Sequence, residues 1–448
     1  MFNQSFPIWD YGAWVYWNSR RGRVAPTGGT PFRHGDGFLD HNPSSSGSDN
    51  LIFDPARGVF REYSSGGDAE FPPSGIVTDG ATNIWGADNT ANVRGFTAEP
   101  GLAVTLPAGS DNREIVELLS GGPSDRVAFS NFTVSPLNAF RTFAVGADDY
   151  VFSVLIRRND RGVVDSSTCE LQVVDSGLVD RTTTATRYVK VGGQGWYLLY
   201  VAVTAPADTM TWRLNIVNGI TNLRAELPGV YDGSAFGGEH VGWTPIRHTG
   251  GGDPFRSEHE ISIVNGEFTI TSGGWIGCTF VPIFPSPGDG AFPVAASYET
   301  SVLLSFRQLN SADERIRFII SSSAQAVRFD YDAVSAGAGT SLSIPDSLFK
   351  QGVPVGMVIA WGSRSGTLTY TLFANGQQIA IHSVAPIGVP DSNKQGEVLI
   401  GHQGSSNAAN VSLQQVALGN KRLPRIAGRH LSSWFEKQAR FVVGEFGA

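Results

Sequence analysis

The chain has 448 residues, 41% of them apolar and only 17% charged, with 54 glycines and a formal net charge of -8. That length and apolar content support two to four packed domains, with Ser, Thr, Asn, Gln and Gly covering much of the surface. The acidic balance and the lack of a basic stripe argue against a nucleic-acid binder.

The N-terminus, MFNQSFPIWDYGAWVYW, has neither a basic leader nor a cleavable apolar core. No apolar run is long enough to cross a membrane, so the expectation is synthesis in the cytoplasm without membrane insertion. Residues 1–90 read as irregular, with Gly and Pro punctuation and a dense aromatic start at Trp9, Tyr11, Trp14, Tyr16 and Trp17. A loop-rich stretch of this length rarely folds alone, because few ordered contacts repay its entropy. Its aromatics must therefore pack on something. They either dock the chain onto a partner or wrap it onto its own later domains.

Residues 91–250 read as a first β-sandwich. Strands are expected at 102–106, 113–119, 126–134, 150–157, 169–174, 186–191, 196–204 and 210–217, each rich in β-branched or aromatic residues. In the stretch Trp196 to Thr204 both alternating faces are apolar, which marks a strand covered on both sides. Asp148 and Asp149 read as turn residues before Tyr150. The text from 219 to 258 is rich in Gly and His, and Gly250-Gly251-Gly252 reads as a joint.

Residues 251–448 read as a second antiparallel sandwich. Asn265-Gly266 and Asn375-Gly376 are hairpin turns, since Asn-Gly supplies the positive φ angles of a tight connection. Leu368, Tyr370 and Leu372 alternate before the second turn, and Ile379 and Ile381 after it. Pro424 then opens a short helix, with Ile426, His430, Leu431, Trp434 and Phe435 recurring at helical spacing. The fold class is thus all-β, with two antiparallel sandwiches of jelly-roll or concanavalin A-like type, an irregular N-terminal anchoring segment and a short C-terminal helix.

Little in the chain points to catalysis. Asp330, Asp332 and Glu314 lie near strand ends but fit no specific carboxylate pattern. The H-E-x-x-H, G-x-S-x-G and G-x-x-x-x-G-K-[ST] motifs are missing. The histidines are scattered, and Cys169 and Cys278 sit far apart in strand-like text, so both read as buried free thiols. No metal and no cofactor is expected, and no enzymatic activity.

Sugar binding suits the composition better, because a lectin site stacks an aromatic ring on the sugar and reaches its hydroxyls with Asn, Asp and Gln. The candidates are Trp85 with Asp88 and Asn89, Trp243, Trp275, and the loop residues Gln403, Asn407 and Asn410. Such groups abound in any sandwich of this composition, and each reads first as a core or turn residue.

Several segments resemble known modules. VPVGMVIAWG, GTLTYTLFANGQQIA, EVLIGHQGSSNAANVSLQQVAL and NKRLPRIAGRHLSSW, with Leu431 and Trp434, resemble the concanavalin A-like (laminin-G-like) modules of bacteriophage and prophage structural proteins. In the first half, Tyr150 to Arg157 and the Gly192-Gly-Gln-Gly-Trp196 step into Tyr200 resemble phage carbohydrate-binding-like sandwiches. Two such modules behind an aromatic leader resemble a head spike, head fibre or tail fibre of a tailed phage or gene transfer agent.

The resemblance implies a multi-copy or homo-oligomeric protein on the surface of a virion or virion-like particle. Its implied partners are other structural proteins of the particle (capsid, portal-proximal or tail) and host polysaccharide, bound without cleavage. A purely architectural particle protein and a capsule depolymerase are the alternatives. The family's calcium loop is not recognisable here, so no metal is carried over.

Overall fold

The computed structural model describes residues 7–11, 13–18, 23–24, 37–40, 51–54, 57–62, 76–77, 81–86, 95–105, 115–117, 127–232, 245–246, 255–256, 260–265, 273–282, 301–308, 314–321, 326–333, 340–343, 348, 352–364, 367–384, 396–401, 411–419 and 421–439. Over these residues the chain is an all-β protein built from two antiparallel sandwiches. Two α-helices accompany them among the described residues, Pro7–Asp10 and Arg425–Gln438.

The first sandwich packs a six-stranded sheet against a four-stranded one. The larger runs Arg187–Val191, Trp196–Ala205, Asp148–Arg157, Leu223–Asp232, Val127–Asn131, Leu102–Thr105. The smaller runs Cys169–Val174, Asp208–Ile216, Leu137–Val145, Thr97–Ala98. Period-two alternation sends Phe129, Phe152, Val154, Leu199, Val201, Met210, Trp212 and Leu214 into the space between them. Each such fully buried side chain contributes on the order of 2 kcal/mol.

Asp148 and Asp149 belong to the strand, paired with Ala205 and Thr204, rather than to the turn expected before Tyr150. Two strands that local pattern did not indicate, Leu137–Val145 and Leu223–Asp232, complete the sheets. Pro136 and Pro228 obscure them, since proline weakens a strand reading.

The opposite face of the six-stranded sheet is also covered, as the text around Trp196 required. Trp196, Leu198 and Tyr200 point to this side, while Leu199, Val201 and Val203 point to the sandwich core. The cover is a small sheet, Leu51–Asp54, Val59–Glu62 and Val116–Glu117, which packs Leu51, Ile52, Phe53, Phe60 and Ile115 against it. Val281, from the second sandwich, joins the same cluster.

The second sandwich has an eight-stranded sheet and a seven-stranded sheet. The first is ordered Arg23–Val24, Ala13–Asn18, Val411–Gly419, Gly273–Pro282, Val355–Arg364, Thr367–Ala374, Gln377–Val384, with Ile76–Val77 beside Val411–Gly419. The other runs Thr340–Ser343, Ala326–Ala333, Glu314–Ser321, Ser301–Gln308, Gly396–Ile400, Glu260–Asn265, Gly37–Asp40. The hairpin at Asn375-Gly376 forms as expected, with φ of 46° and 79°. The strand expected after Asn265-Gly266 lies outside the described residues. Asp330 and Asp332 lie in the strand Ala326–Ala333.

The C-terminal helix lies across the eight-stranded sheet. Leu431 and Phe435 pack on Trp275, Val358, Phe373 and Ala417, but Ile426 is 72% exposed and His430 is exposed too, so its apolar stripe is narrower than its sequence suggests. Gly277 and Gly356 let it sit close: a Cβ at Gly277 would strike the Phe435 ring, and one at Gly356 the Ser432 and Glu436 backbone.

The described residues of the leader form strands and one short helix rather than irregular chain. Its strands pair into both sheets of the second sandwich and cover the first, while Ala81–Thr82 pairs with Phe255–Arg256. Of the two readings open for it, wrapping on its own chain is the one these pairings support. Backbone pairing across hundreds of positions leaves no local pattern, which is why the segment reads as irregular.

Candidate functional site

Two of the expected sugar-binding tryptophans are core residues. Trp85 is 1% exposed, stacked on Phe152 at 5.6 Å and 8° between planes, and wedged against Phe96. Trp275 is fully buried and donates its indole N–H to the Tyr11 carbonyl oxygen at 3.0 Å. Neither offers a ring face to a ligand. Asp88, Asn89, Trp243, Gln403, Asn407 and Asn410 lie outside the described residues.

The aromatic start of the leader is placed by its backbone. Trp9 falls in the short helix, and Trp14, Tyr16 and Trp17 in the strand Ala13–Asn18, with Tyr16 opposite Ala417 and Trp17 opposite Val416. Tyr11 is half-buried between them.

A different surface brings binding chemistry together: the outward face of the four-stranded sheet of the first sandwich. The segment DTMTWRLNI alternates strictly. Met210, Trp212, Leu214 and Ile216 are buried, so Thr209, Thr211, Arg213 and Asn215 point out. The neighbouring strand turns Asn138, Phe140, Thr142 and Ala144 outward, and the edge strand presents Glu170 and Gln172.

Register aligns these groups in rows across the strands. Thr97 lies opposite Phe140, Phe140 opposite Arg213, and Arg213 opposite Gln172. The next row is Asn138, Asn215 and Glu170, and Thr142 faces Thr211 on the other side. Half-buried Phe140 is the aromatic of this face, and Arg213 its cation.

The polar groups are held in place by one another. Glu99 accepts from the Asn138 backbone N–H at 2.9 Å and from its side-chain amide at 2.8 Å. The Thr142 and Thr211 hydroxyls lie 3.1 Å apart. Gln172 donates to Asp180 at 2.9 Å and accepts a long bond from Asn215 at 3.4 Å. Burial works to raise the Asp180 carboxyl, yet hydrogen bonds from Gln172 and Thr182 and the charge of Arg213 hold it below the usual carboxylate range.

The result is a fixed array of donors and acceptors on rigid strands around one aromatic ring. Such an array suits a hydroxyl-rich ligand that lies flat. The signal that could have found it was the clean polar–apolar alternation in DTMTWRLNI. Its partner strand, hidden behind Pro136, carries the aromatic.

No protein-family model matches the chain, and no curated protein does. Among solved structures it is similar to the CBM40 module of Ruminococcus gnavus IT-sialidase bound to alpha2,3 sialyllactose, at 12% identity and a TM-score of 0.28, over 36% of this chain and 84% of that one. It is also similar to the tandem CBM22 domains of Paenibacillus barcinonensis Xyn10C, at 9% identity and a TM-score of 0.24, over 77% and 97%. A third is the heptameric SAP-like pentraxin of Limulus polyphemus, at 12% identity and a TM-score of 0.26, over 37% and 71%. At TM-scores of this size no residue role and no ligand passes to this chain.

Proposed function

We propose that this chain is a surface protein of a phage or phage-like particle, a head spike, head fibre or tail fibre, that holds host cell-surface polysaccharide without cleaving it. The observation that carries the binding half of this reading is the outward face of the four-stranded sheet. There Phe140 and Arg213 sit in register, flanked by Asn138, Asn215, Gln172, Thr142 and Thr211. The particle half rests on the resemblance of the two sandwiches to phage structural modules.

A flat face of this kind binds weakly as a single site, and many copies on one particle would make it effective through avidity. Anchoring on strands fixes the side chains before the ligand arrives, so little ordering entropy is lost on binding. The reading needs neither a metal nor a proton-transferring pair.

The test is glycan binding by the full chain, compared with Phe140→Ala and Arg213→Gln. Each variant is expected to weaken binding about tenfold or more, equivalent to ~1.4 kcal/mol, while circular dichroism stays unchanged. Undiminished binding by both variants would remove this face as the site.

A further inference from the structure

We infer that the face selects an uncharged, linear polysaccharide laid across the strands, with about three consecutive sugar units in contact at the ~4.8 Å spacing of neighbouring strands. This rests on the sugar-binding reading above and adds the ligand's charge, direction and length.

Direction follows from the register. The aromatic, the cation and the amide, Phe140, Arg213 and Gln172, succeed one another across adjacent strands, with Thr97 at one end. Along the strand Asp208–Ile216 the outward groups, Thr209, Thr211, Arg213 and Asn215, include no aromatic ring. A chain crossing the strands therefore meets a ring-stacking surface and then hydrogen-bonding groups.

Length follows from the same row. Three inter-strand steps separate Thr97 from Gln172, a span of about 14 Å. An extended chain whose pyranose units advance by about one such step would fill the row with about three units. Among the described residues the outermost strands of the sheet are Cys169–Val174 on one side and Thr97–Ala98 on the other.

Charge decides the class. Arg213 is the cation of the face, and its guanidinium forms no hydrogen bond or ion pair among the described residues. Three carboxylates accompany it: Asp180 beside Gln172, Glu170 at the end of the second row, and Glu99 holding Asn138. The other cation near the edge strand, Arg181, is already bound to Asp175. A uronate or sialate chain would set a carboxylate near one of these acids at each repeat, and like charges repel at such distances. Sugar hydroxyls meet no such penalty, and they can both donate to the carboxylates and accept from Arg213, Asn215 and Asn138.

The experiment is calorimetric titration of the full chain with manno-, malto- and cello-oligosaccharides of two to six units and with oligogalacturonates of the same lengths, at low and high salt. At least one neutral series is expected to bind, gaining affinity up to three or four units and then levelling off, with no salt dependence. Oligogalacturonates are expected to bind at least about tenfold more weakly, and Glu170→Gln to narrow that gap.

Tighter binding of oligogalacturonate that fades with salt, sensitive to Phe140→Ala, would overturn this inference and leave sugar binding at the face intact. A neutral series whose affinity ignores length, or keeps rising to six units, would overturn the crossing geometry. Binding by no series at all would overturn both readings.

Discussion

The indole N–H of Trp275 and the backbone oxygen of Tyr11 lie 3.0 Å apart, a hydrogen bond that joins positions 264 residues distant. Around it Ile8 and Ala13 pack into the cluster formed by the C-terminal helix and the eight-stranded sheet. Ile8, Tyr11 and Ala13 are therefore part of the core of the second sandwich.

Trp275→Phe keeps an aromatic ring but removes the donor and leaves a part-buried carbonyl to find another partner. The expected loss is about 1–3 kcal/mol of stability, read from the urea midpoint. Removal of residues 1–18 goes further, because it strips the strand paired along Val411–Gly419 and leaves an open edge. That variant is expected to melt lower and to aggregate with rising concentration in light scattering, as unprotected edges do.

Gly356→Ala would drive a methyl group into the backbone of the C-terminal helix at Ser432 and Glu436. Overpacking of this kind costs about 1–3 kcal/mol, and here neither neighbour is a flexible side-chain tip. Gly193→Ala meets nothing within 4 Å and is the matched control, expected to stay near wild type. Thermal melts of the two variants make the comparison.

Adjacent residues of one strand should behave in opposite ways. Trp212 is fully buried and packs on Phe143, Tyr150 and Phe152, so Trp212→Ala should cost about 3–5 kcal/mol. Arg213 points out of the same strand, and Arg213→Gln should stay within about 0.5 kcal/mol of wild type. Chemical denaturation of both would check the face assignment independently of any ligand.

Cys169 and Cys278 are free and buried, and burial pushes both thiols well above the ordinary thiol range. A thiol-reactive dye should label neither in the native protein and both in urea. Unfolded thiols ionise near ~8.5, whereas the folded ones keep their protons. Above that pH the unfolded state binds fewer protons than the folded one, so stability falls as pH rises and is intact below it. Denaturation midpoints at neutral and alkaline pH would show this decline, and a Cys169→Ala, Cys278→Ala double variant should flatten it.

Much of this architecture is legible residue by residue. The two covered faces around Trp196, the Asn375-Gly376 hairpin and the helix after Pro424 all follow from local chemistry: alternation, turn residues and a proline at a helix start. The candidate face is half legible. Thr211, Arg213 and Asn215 declare themselves as outward-facing by alternation with Met210, Trp212 and Leu214, but nothing in the text ties them to Phe140 or Gln172.

The chain alone determined that it would be all-β, apolar-cored and poor in charge, because side-chain periodicity is a property of neighbours in sequence. The tertiary structure decided which strands lie side by side, and so which outward residues form one surface. It also turned Trp85 and Trp275 inward and set the strands Ala13–Asn18, Gly37–Asp40 and Leu51–Asp54 against the two sandwiches. Pairing partners hundreds of positions apart are chosen by the total apolar area buried and the edges covered, a sum that no local stretch records.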